Sequence, residues 1–378
     1  MKKHTNILVL SIVGLALATF SGCSKSDSAP VYGASGTLVD PYIVGAVMCE
    51  DVNKNGTCDT GEQVSTASDS NGVYRFSGVL TTGSNIIIKT QGKHEGVTYD
   101  VALSSVVSSS SSAGTTSPLT TLNTKGLTTT QIAAILMQAK TDAITAGATN
   151  LSSFNITAAD ITTDPLSGSL MSQTISQITD AELSKIQASI TTYALLKIMN
   201  GSTTLNALSS TALYTSATTG GEVSRIAIKV LTAVSDALNK TLLTSIAGQI
   251  TTARSTAVTA GLPSSAATTA FPDVTTGLIV KVAVKVVDRL ATVGYTACNA
   301  NSGGDSAKVT DALAAVNTEA ATLNSSKITK MGKMLYGVIN RSTLSAYSTA
   351  ITSADADLGA GVNSTAATFN FSAGGTIQ

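Results

Sequence analysis

The spacing of apolar residues divides this chain into a strand-like part and a helical part. Between residues 37 and 107, apolar runs such as TLVDPYIVGAVM, GVYRFSGVL and NIIIK alternate with clusters of Gly, Asn, Asp and Ser. Short β-rich runs separated by such turn residues are typical of strands joined by hairpins. The pattern predicts a small N-terminal β-sandwich over residues 36–107.

Apolar residues beyond Pro118 recur at three- and four-residue steps, which is the period of a helix face. The longest stripe comprises Val223, Ile226, Val230, Val234, Leu238, Leu242 and Ile246. It predicts one core-facing helix. Segment 278–287 (LIVKVAVKVV) fits either a strand or a buried helix, and its helical surroundings favour the helix. We expect a mainly α-helical, bundle-like domain over 118–358, and therefore a multidomain β + α protein.

Two segments lack a clear period. Residues 108–117 are rich in Ser and too poor in apolar side chains to help build a core, so they are predicted to be a linker. Residues 359–378 are rich in Gly, Ser, Thr and Asn, and we expect a flexible tail.

The N-terminus has the three blocks of a signal peptide. Lys2 and Lys3 precede an apolar run from Ile7 to Phe20, and small residues follow. Residues 1–22 are therefore predicted to be a signal peptide. An uncleaved membrane anchor and ordinary secretion are the alternatives, but the apolar run is shorter than the ~20 residues of a spanning helix.

The end of this segment resembles the lipobox of bacterial lipoproteins. Ser21 and Gly22 stand directly before Cys23, although Phe20 occupies the place where that family usually has Leu. The resemblance implies that Cys23 is acylated, palmitate included, and becomes the first residue of the mature chain. Ser24 after the cysteine implies export to the outer membrane, with a periplasmic or surface-exposed location. Residues 23–35 would then be a flexible tether to the lipid anchor.

Residues 49–62 (CEDVNKNGTCDTGE) place oxygen-bearing side chains at alternate positions. The spacing D-x-N-x-N-G followed by five residues and Glu is that of a calcium-binding loop. The predicted Ca²⁺ ligands are Asp51, Asn53, Asn55, Thr57 through its carbonyl, Asp59 and Glu62. Gly56 permits the tight turn. The alternative is a polar turn that binds nothing.

The flanks of this loop have strand-like alternation, so it is not predicted to be an EF-hand. Together, GAVMCEDVNKNGTCDTGE and SDSNGVYRF resemble the calcium-binding β-sandwich modules of bacterial surface proteins, the collagen-adhesin B-type and carboxypeptidase regulatory-like domains. SPLTTL (117–122) and DPL (164–166) are similar to segments of bacterial surface lipoproteins in which such a module precedes a helical region.

Cysteine usage agrees with an exported protein. Cys49 and Cys58 flank the loop, and oxidising compartments favour disulfides, so these two are predicted to be paired; two reduced thiols are the alternative. Cys298 remains, either as a buried free thiol or as an intermolecular link.

Composition narrows the function further. Lys+Arg 23 and Asp+Glu 23 balance, so no global charge favours nucleic acid. Beyond the signal peptide His94 is the only histidine, and motifs such as G-x-S-x-G are absent, so we expect no enzyme. His94 itself is predicted to be a surface loop residue.

Two functions remain open. The first is a non-catalytic cell-envelope lipoprotein, membrane-bound through its lipid, in adhesion, assembly or scaffolding with an unknown surface partner. The alternative is a small-ligand binding protein or receptor, with a hydrolase ranked behind it, and its pocket would lie among the helices. A closed apolar cavity among the helices would favour the second.

Overall fold

The computed structural model describes residues 32–40, 42–94, 97–270 and 273–324, which belong to a compact unit that begins at Tyr32. Within these residues the chain forms strands first and helices afterwards, as expected. The expectations for residues 1–22, Cys23, most of the tether 23–35 and the tail 359–378 lie outside the described residues.

The strands build two larger sheets and a small ribbon. Their bounds are β1 Ala34–Leu38, β2 Val47–Asp51, β3 Val64–Ala67, β4 Val73–Phe76, β5 Asn85–Thr90, β6 Lys93–His94, β7 Val97–Thr98, β8 Ser104–Val106 and β9 Ser112–Thr116. One sheet has the order β4–β1–β9, and the other has the order β3–β2–β5–β8. Neighbours are antiparallel except β1 and β9, which are parallel. Strands β6 and β7 pair with each other.

Buried side chains of both sheets belong to one hydrophobic core. Leu38 and Tyr74 come from the first sheet, whereas Met48 and Ile86 come from the second, and all four are fully buried. Alternation along β1 and β4 points every second residue inwards, as the sequence pattern requires. The same core continues into the helices.

The predicted Ser-rich linker is corrected by the structure. Residues 112–116 of that segment form β9, which pairs with β1, and Thr116 and Ser117 are completely buried. Backbone hydrogen bonds to β1 hold this strand in the sheet, and such bonds do not require apolar side chains. The β region consequently runs from Ala34 to Thr116, and the first helix follows it directly.

Ten α-helices follow in the described part of the chain. Their bounds are α1 Pro118–Thr124, α2 Thr129–Thr145, α3 Asp180–Met199, α4 Thr203–Asn206, α5 Ser210–Thr218, α6 Glu222–Ala237, α7 Lys240–Thr259, α8 Ser264–Ala270, α9 Thr276–Ala300 and α10 Asp305–Asn324. Helix α9 includes the ambiguous segment 278–287, so the choice of a helix there is confirmed.

Helix α3 is the central helix of this region. It packs against α6 and α9, and 16 of its 20 residues are buried. Thr179 starts it with a capping box, in which its side chain accepts from the backbone N–H of Glu182 and the Glu182 carboxylate accepts from the backbone N–H of Thr179. A helix buried on nearly all sides holds its neighbours at fixed positions.

The single helix expected over 223–246 is two helices. Helix α6 ends at Ala237, and α7 begins at Lys240. The Asn239 side chain accepts from the backbone N–H groups of Thr241 and Leu242, which makes it the N-cap of α7. The apolar stripe continues across the break, so periodicity alone did not reveal it.

None of the helices in the described residues combines the length and the apolar character needed to cross a bilayer.

Candidate metal centre

The candidate site is the loop that joins β2 to β3, so strands flank it on both sides. Asp51 is the last residue of β2, and Glu62 stands two residues before β3. Cys49 in β2 and Cys58 in the loop form a disulfide with Cα atoms 5.9 Å apart, which confirms the predicted pairing. The disulfide holds the loop against the strand from which it leaves.

Asp51 organises the turn from the protein interior. Its side chain is fully buried, and Oδ1 accepts from the backbone N–H of Asn55 at 3.1 Å while Oδ2 accepts from that of Gly56 at 2.9 Å. Gly56 has φ +79°, a left-handed conformation that glycine adopts without a steric penalty. The backbone therefore winds around the Asp51 carboxylate.

Asn53, Asn55 and Asp59 meet on the exposed side of the loop. The two asparagine amides each donate to Asp59 Oδ2 at 2.8 Å. Their carbonyl oxygens accept from backbone N–H groups, that of Asn53 from Asn55 and that of Asn55 from Thr57. The two donated hydrogen bonds lower the pKa of Asp59, since they stabilise its ionised form.

Glu62 closes the loop through backbone contacts. Its Oε1 accepts from the N–H of Val52 and its Oε2 from the N–H of Asp59, both at 2.8 Å. Its carboxylate thus bridges the start and the end of the loop. In this arrangement Glu62 does not converge with the carboxylates of Asp51 and Asp59.

The distances between potential metal ligands in the described residues also show that Asp51, Asp59 and Glu62 do not converge. The three His, Cys, Asp or Glu side chains whose ligand atoms all lie within 4.8 Å of one another are Cys49, Cys58 and Glu62. Both sulfurs are bonded to each other, so they are not thiolate ligands. This group therefore offers a metal ion only the Glu62 carboxylate.

The oxygen atoms of the loop nevertheless fit a hard cation. Calcium takes six to eight oxygen ligands, and a carboxylate or amide oxygen that accepts one N–H bond keeps a second lone pair. Asp51, Asn53, Asn55 and Asp59 are already gathered by the loop, whereas Glu62 would have to rotate away from the two backbone amides to coordinate. Asn55 Oδ1 accepts from both the N–H and the hydroxyl of Thr57, so the Thr57 hydroxyl would have to turn away as well. The residues present therefore fit calcium once Glu62 and the Thr57 hydroxyl have rearranged.

The charge of the loop favours a cation. Three carboxylates lie within 12 residues, and the only basic residue among them, Lys54, is exposed with φ +60°. A left-handed conformation is uncommon for a residue with a side chain, and here it carries the chain round the turn. The loop consequently carries three carboxylates and one Lys, a formal charge of −2.

A second polar cluster, which the sequence did not indicate, lies where the β region meets the helices. Tyr99 Oη donates to Asp40 Oδ2, and both residues are buried. Burial raises the pKa of Asp40 to about 8, although the Tyr99 hydrogen bond opposes the shift, and the nearby Asp288 carboxylate adds to it. Tyr99 packs on Tyr193 with ring centroids 5.4 Å apart.

This cluster continues to the surface through Lys197 of α3. Its Nζ lies 2.7 Å from Asp288 Oδ1 of α9 and 3.1 Å from Asp100 Oδ2. Tyr193 Oη also donates to Asp288. No sequence motif marks these residues, because the first and last of them, Asp40 and Asp288, are 288 − 40 = 248 positions apart.

The structure also places His94 and Cys298, the two remaining residues singled out from the sequence. His94 lies in β6 and is 9% exposed, so the prediction of a surface loop residue is wrong; pairing of β6 with β7 carries it into the fold. Cys298 is a free, buried thiol on α9. Burial raises its pKa, which keeps the thiol protonated and unreactive.

The comparisons with known proteins are negative. No family model, no curated protein and no solved structure matches this chain.

Proposed function

We propose that this chain is a non-catalytic lipoprotein of the cell envelope, whose β region is a calcium-stabilised sandwich module. The module and the helices behind it would serve adhesion, assembly or scaffolding at the cell surface. The observation that carries the proposal is the winding of loop 51–62 around the Asp51 carboxylate, with Asp59 held by two asparagine amides.

Calcium would supply charge neutralisation at this loop. Asp51, Asn53, Asn55 and Asp59 would hold the ion with the carbonyl of Thr57, and Glu62 would complete the set by leaving its two backbone donors. The exchange is feasible because Glu62 is only partly buried, so its carboxylate moves without displacing core side chains. The disulfide keeps the loop against β2 in the absence of the ion.

The first prediction concerns calcium affinity. Isothermal titration of the exported full chain should give heat on adding Ca²⁺ and much less on adding Mg²⁺, which prefers a small octahedral shell with retained waters. At calcium one hundred times above its dissociation constant, binding should raise the free energy of unfolding by about 2.7 kcal/mol. Asp51→Ala should abolish both effects.

Asp69→Ala is the matched control for this experiment. Asp69 also accepts two backbone N–H bonds in a turn, those of Asn71 and Val73, but it lies outside the loop. This variant should bind calcium like the parent chain. Absence of binding heat in the parent chain, or an equal response to magnesium, would reduce loop 51–62 to an ordinary turn.

The second prediction concerns the lipid anchor. The signal-peptide blocks and the lipobox-like SGC at residues 21–23 lead us to expect that Cys23→Ser releases the protein from the membrane fraction. Cys298→Ser is the matched control and should leave it membrane-bound, because that thiol is buried. Mass spectrometry should find an acylated Cys23 as the first residue. An unmodified N-terminus on soluble protein would contradict the anchor.

The cavity beside Asp40 does not favour the alternative, a small-ligand receptor. This cavity has room for about one water molecule, which is far below the roughly 300 Å³ of an ordinary ligand pocket.

A further inference from the structure

A small cavity lies at the junction of the β region and the helices. Its walls come from the segment after β1, the loop before α3, and helices α3 and α9. The lining residues are Val39, Asp40, Pro165, Leu166, Ile186, Ser189, Ile190 and Val280. All of these lining residues are buried.

Two polar atoms of the cavity wall lack hydrogen-bond partners among the described residues. They are Asp40 Oδ1 and Ser189 Oγ. Asp40 is 2% exposed and Ser189 is 3% exposed, so bulk water does not satisfy either atom. Buried polar atoms without a partner are costly and rare in folded proteins, which makes two of them on one small cavity an indication of a missing partner.

The size of the cavity limits what this partner is. The space open to the centre of a water molecule is about 10 Å³, close to that needed for one water. The remaining walls are apolar side chains of Val, Pro, Leu and Ile. A dehydrated metal ion needs more oxygen ligands than the two orphaned oxygens supply.

The protonation of Asp40 agrees with a neutral occupant. Burial raises the pKa of Asp40 to about 8, so its carboxyl group carries a proton at neutral pH. Oδ2 already accepts from Tyr99. A proton on Oδ1 needs an acceptor, and a water molecule both accepts this proton and donates to the hydroxyl of Ser189.

We propose that one ordered water occupies this cavity, hydrogen-bonded to Asp40 Oδ1 and Ser189 Oγ, and that it joins the segment after β1 to helix α3. The water is then a structural component of the junction between the two regions. Its removal leaves Asp40 Oδ1 and Ser189 Oγ without partners, so the contributions of the two side chains to stability depend on each other.

A crystal structure of the full exported chain, at a resolution that shows waters, tests the site without any variant. We expect one peak within hydrogen-bond distance of both Asp40 Oδ1 and Ser189 Oγ. An empty cavity, a direct hydrogen bond between Asp40 and Ser189, or a peak surrounded by oxygens at about 2.4 Å, the distance of a metal ion, would overturn the proposal.

A double-mutant cycle tests the coupling in solution. Asp40→Asn and Ser189→Ala, measured singly and together by urea unfolding, should deviate from additivity by at least about twofold in the unfolding equilibrium constant. Ser224→Ala is the matched control, because Ser224 Oγ is also buried and unpartnered among the described residues but does not line the cavity. Its effect should add to that of Asp40→Asn. Additive effects of Asp40→Asn and Ser189→Ala would contradict a shared water.

Discussion

Asp51 is the residue on which the loop depends even without a metal. Its carboxylate is completely buried, yet it is satisfied by two backbone N–H groups of its own turn. Buried carboxylates are costly unless hydrogen bonds compensate them, so the turn and the side chain stabilise each other. Asp59 differs, because it is exposed and its hydrogen bonds compete with water.

The third prediction follows from this difference. In the presence of a chelator, Asp51→Ala should lower the free energy of unfolding by roughly 1–3 kcal/mol, because the Gly56 N–H loses its side-chain acceptor and the Asn55 N–H keeps only that of Asn53. Urea unfolding of the full chain measures the change. Asp69→Ala removes the same type of acceptor at a position whose side chain is 44% exposed, and it should cost clearly less. Equal losses for the two variants would show that the burial of Asp51 has no energetic role.

At the scale of elements, the disulfide connects β2 to the loop that leaves it. Cys49 lies in the middle of β2, opposite Ile87 of β5 and Val64 of β3. Cys58 follows it by nine positions, so the covalent bond closes a short loop. Closure of such a loop restricts the unfolded chain more than the folded one.

The fourth prediction is that this disulfide stabilises the protein in chelator. Reduction should lower the free energy of unfolding by roughly 2.5–3 kcal/mol, the loop-closure entropy of about ten residues. Urea unfolding with and without reductant measures it. A Cys298→Ser variant should respond as the parent does, and a Cys49→Ser/Cys58→Ser double variant should not respond. Stability that is independent of reductant in the parent chain would refute the contribution.

The whole molecule is held together by polar contacts between its two regions as well as by the shared core. Lys197 of α3 pairs with Asp100, which follows β7. Tyr42, which follows β1, donates to Asp164 Oδ2 in the segment before α3 at 3.2 Å. These contacts explain why β region and helices form one compact unit despite the change of secondary structure.

Asp40 should make the stability of the whole molecule depend on pH, which is the fifth prediction. Its pKa is about 4 in the unfolded chain and about 8 in the folded one, so between these values the folded state holds one more proton. The stability that Asp40 contributes is complete below pH 4 and falls as pH rises towards 8, at most by about 1.4 kcal/mol per pH unit. Tyr99, Asp288 and Tyr193 face the same group.

Urea unfolding between pH 6 and 8 tests this dependence. Asp40→Asn keeps a neutral side chain of the same shape and should flatten the profile. An unchanged slope in that variant would assign the pH dependence to other groups. The carboxylates whose pKa is lowered, Asp59, Asp160 and Glu182, titrate below this window and do not interfere in it.

Some features of this protein were determined by residues close together in sequence. The capping box at Thr179, the turn of loop 51–62 and the pairing of Cys49 with Cys58 all join atoms within ten positions. Such local hydrogen bonds and short loop closures need no distant partner, so their spacing in the sequence is sufficient to predict them. The order of strands followed by helices was predictable for the same reason, because the apolar period is a local property.

Other features were decided only by the tertiary structure. Strand β9 gained its place from pairing with β1, about eighty residues earlier, although its composition is that of a linker. Asp40 meets Tyr99 across 59 positions, and Lys197 meets Asp288 across 91. The burial of a polar side chain depends on the partner that satisfies it, and that partner is brought near only when the chain has folded.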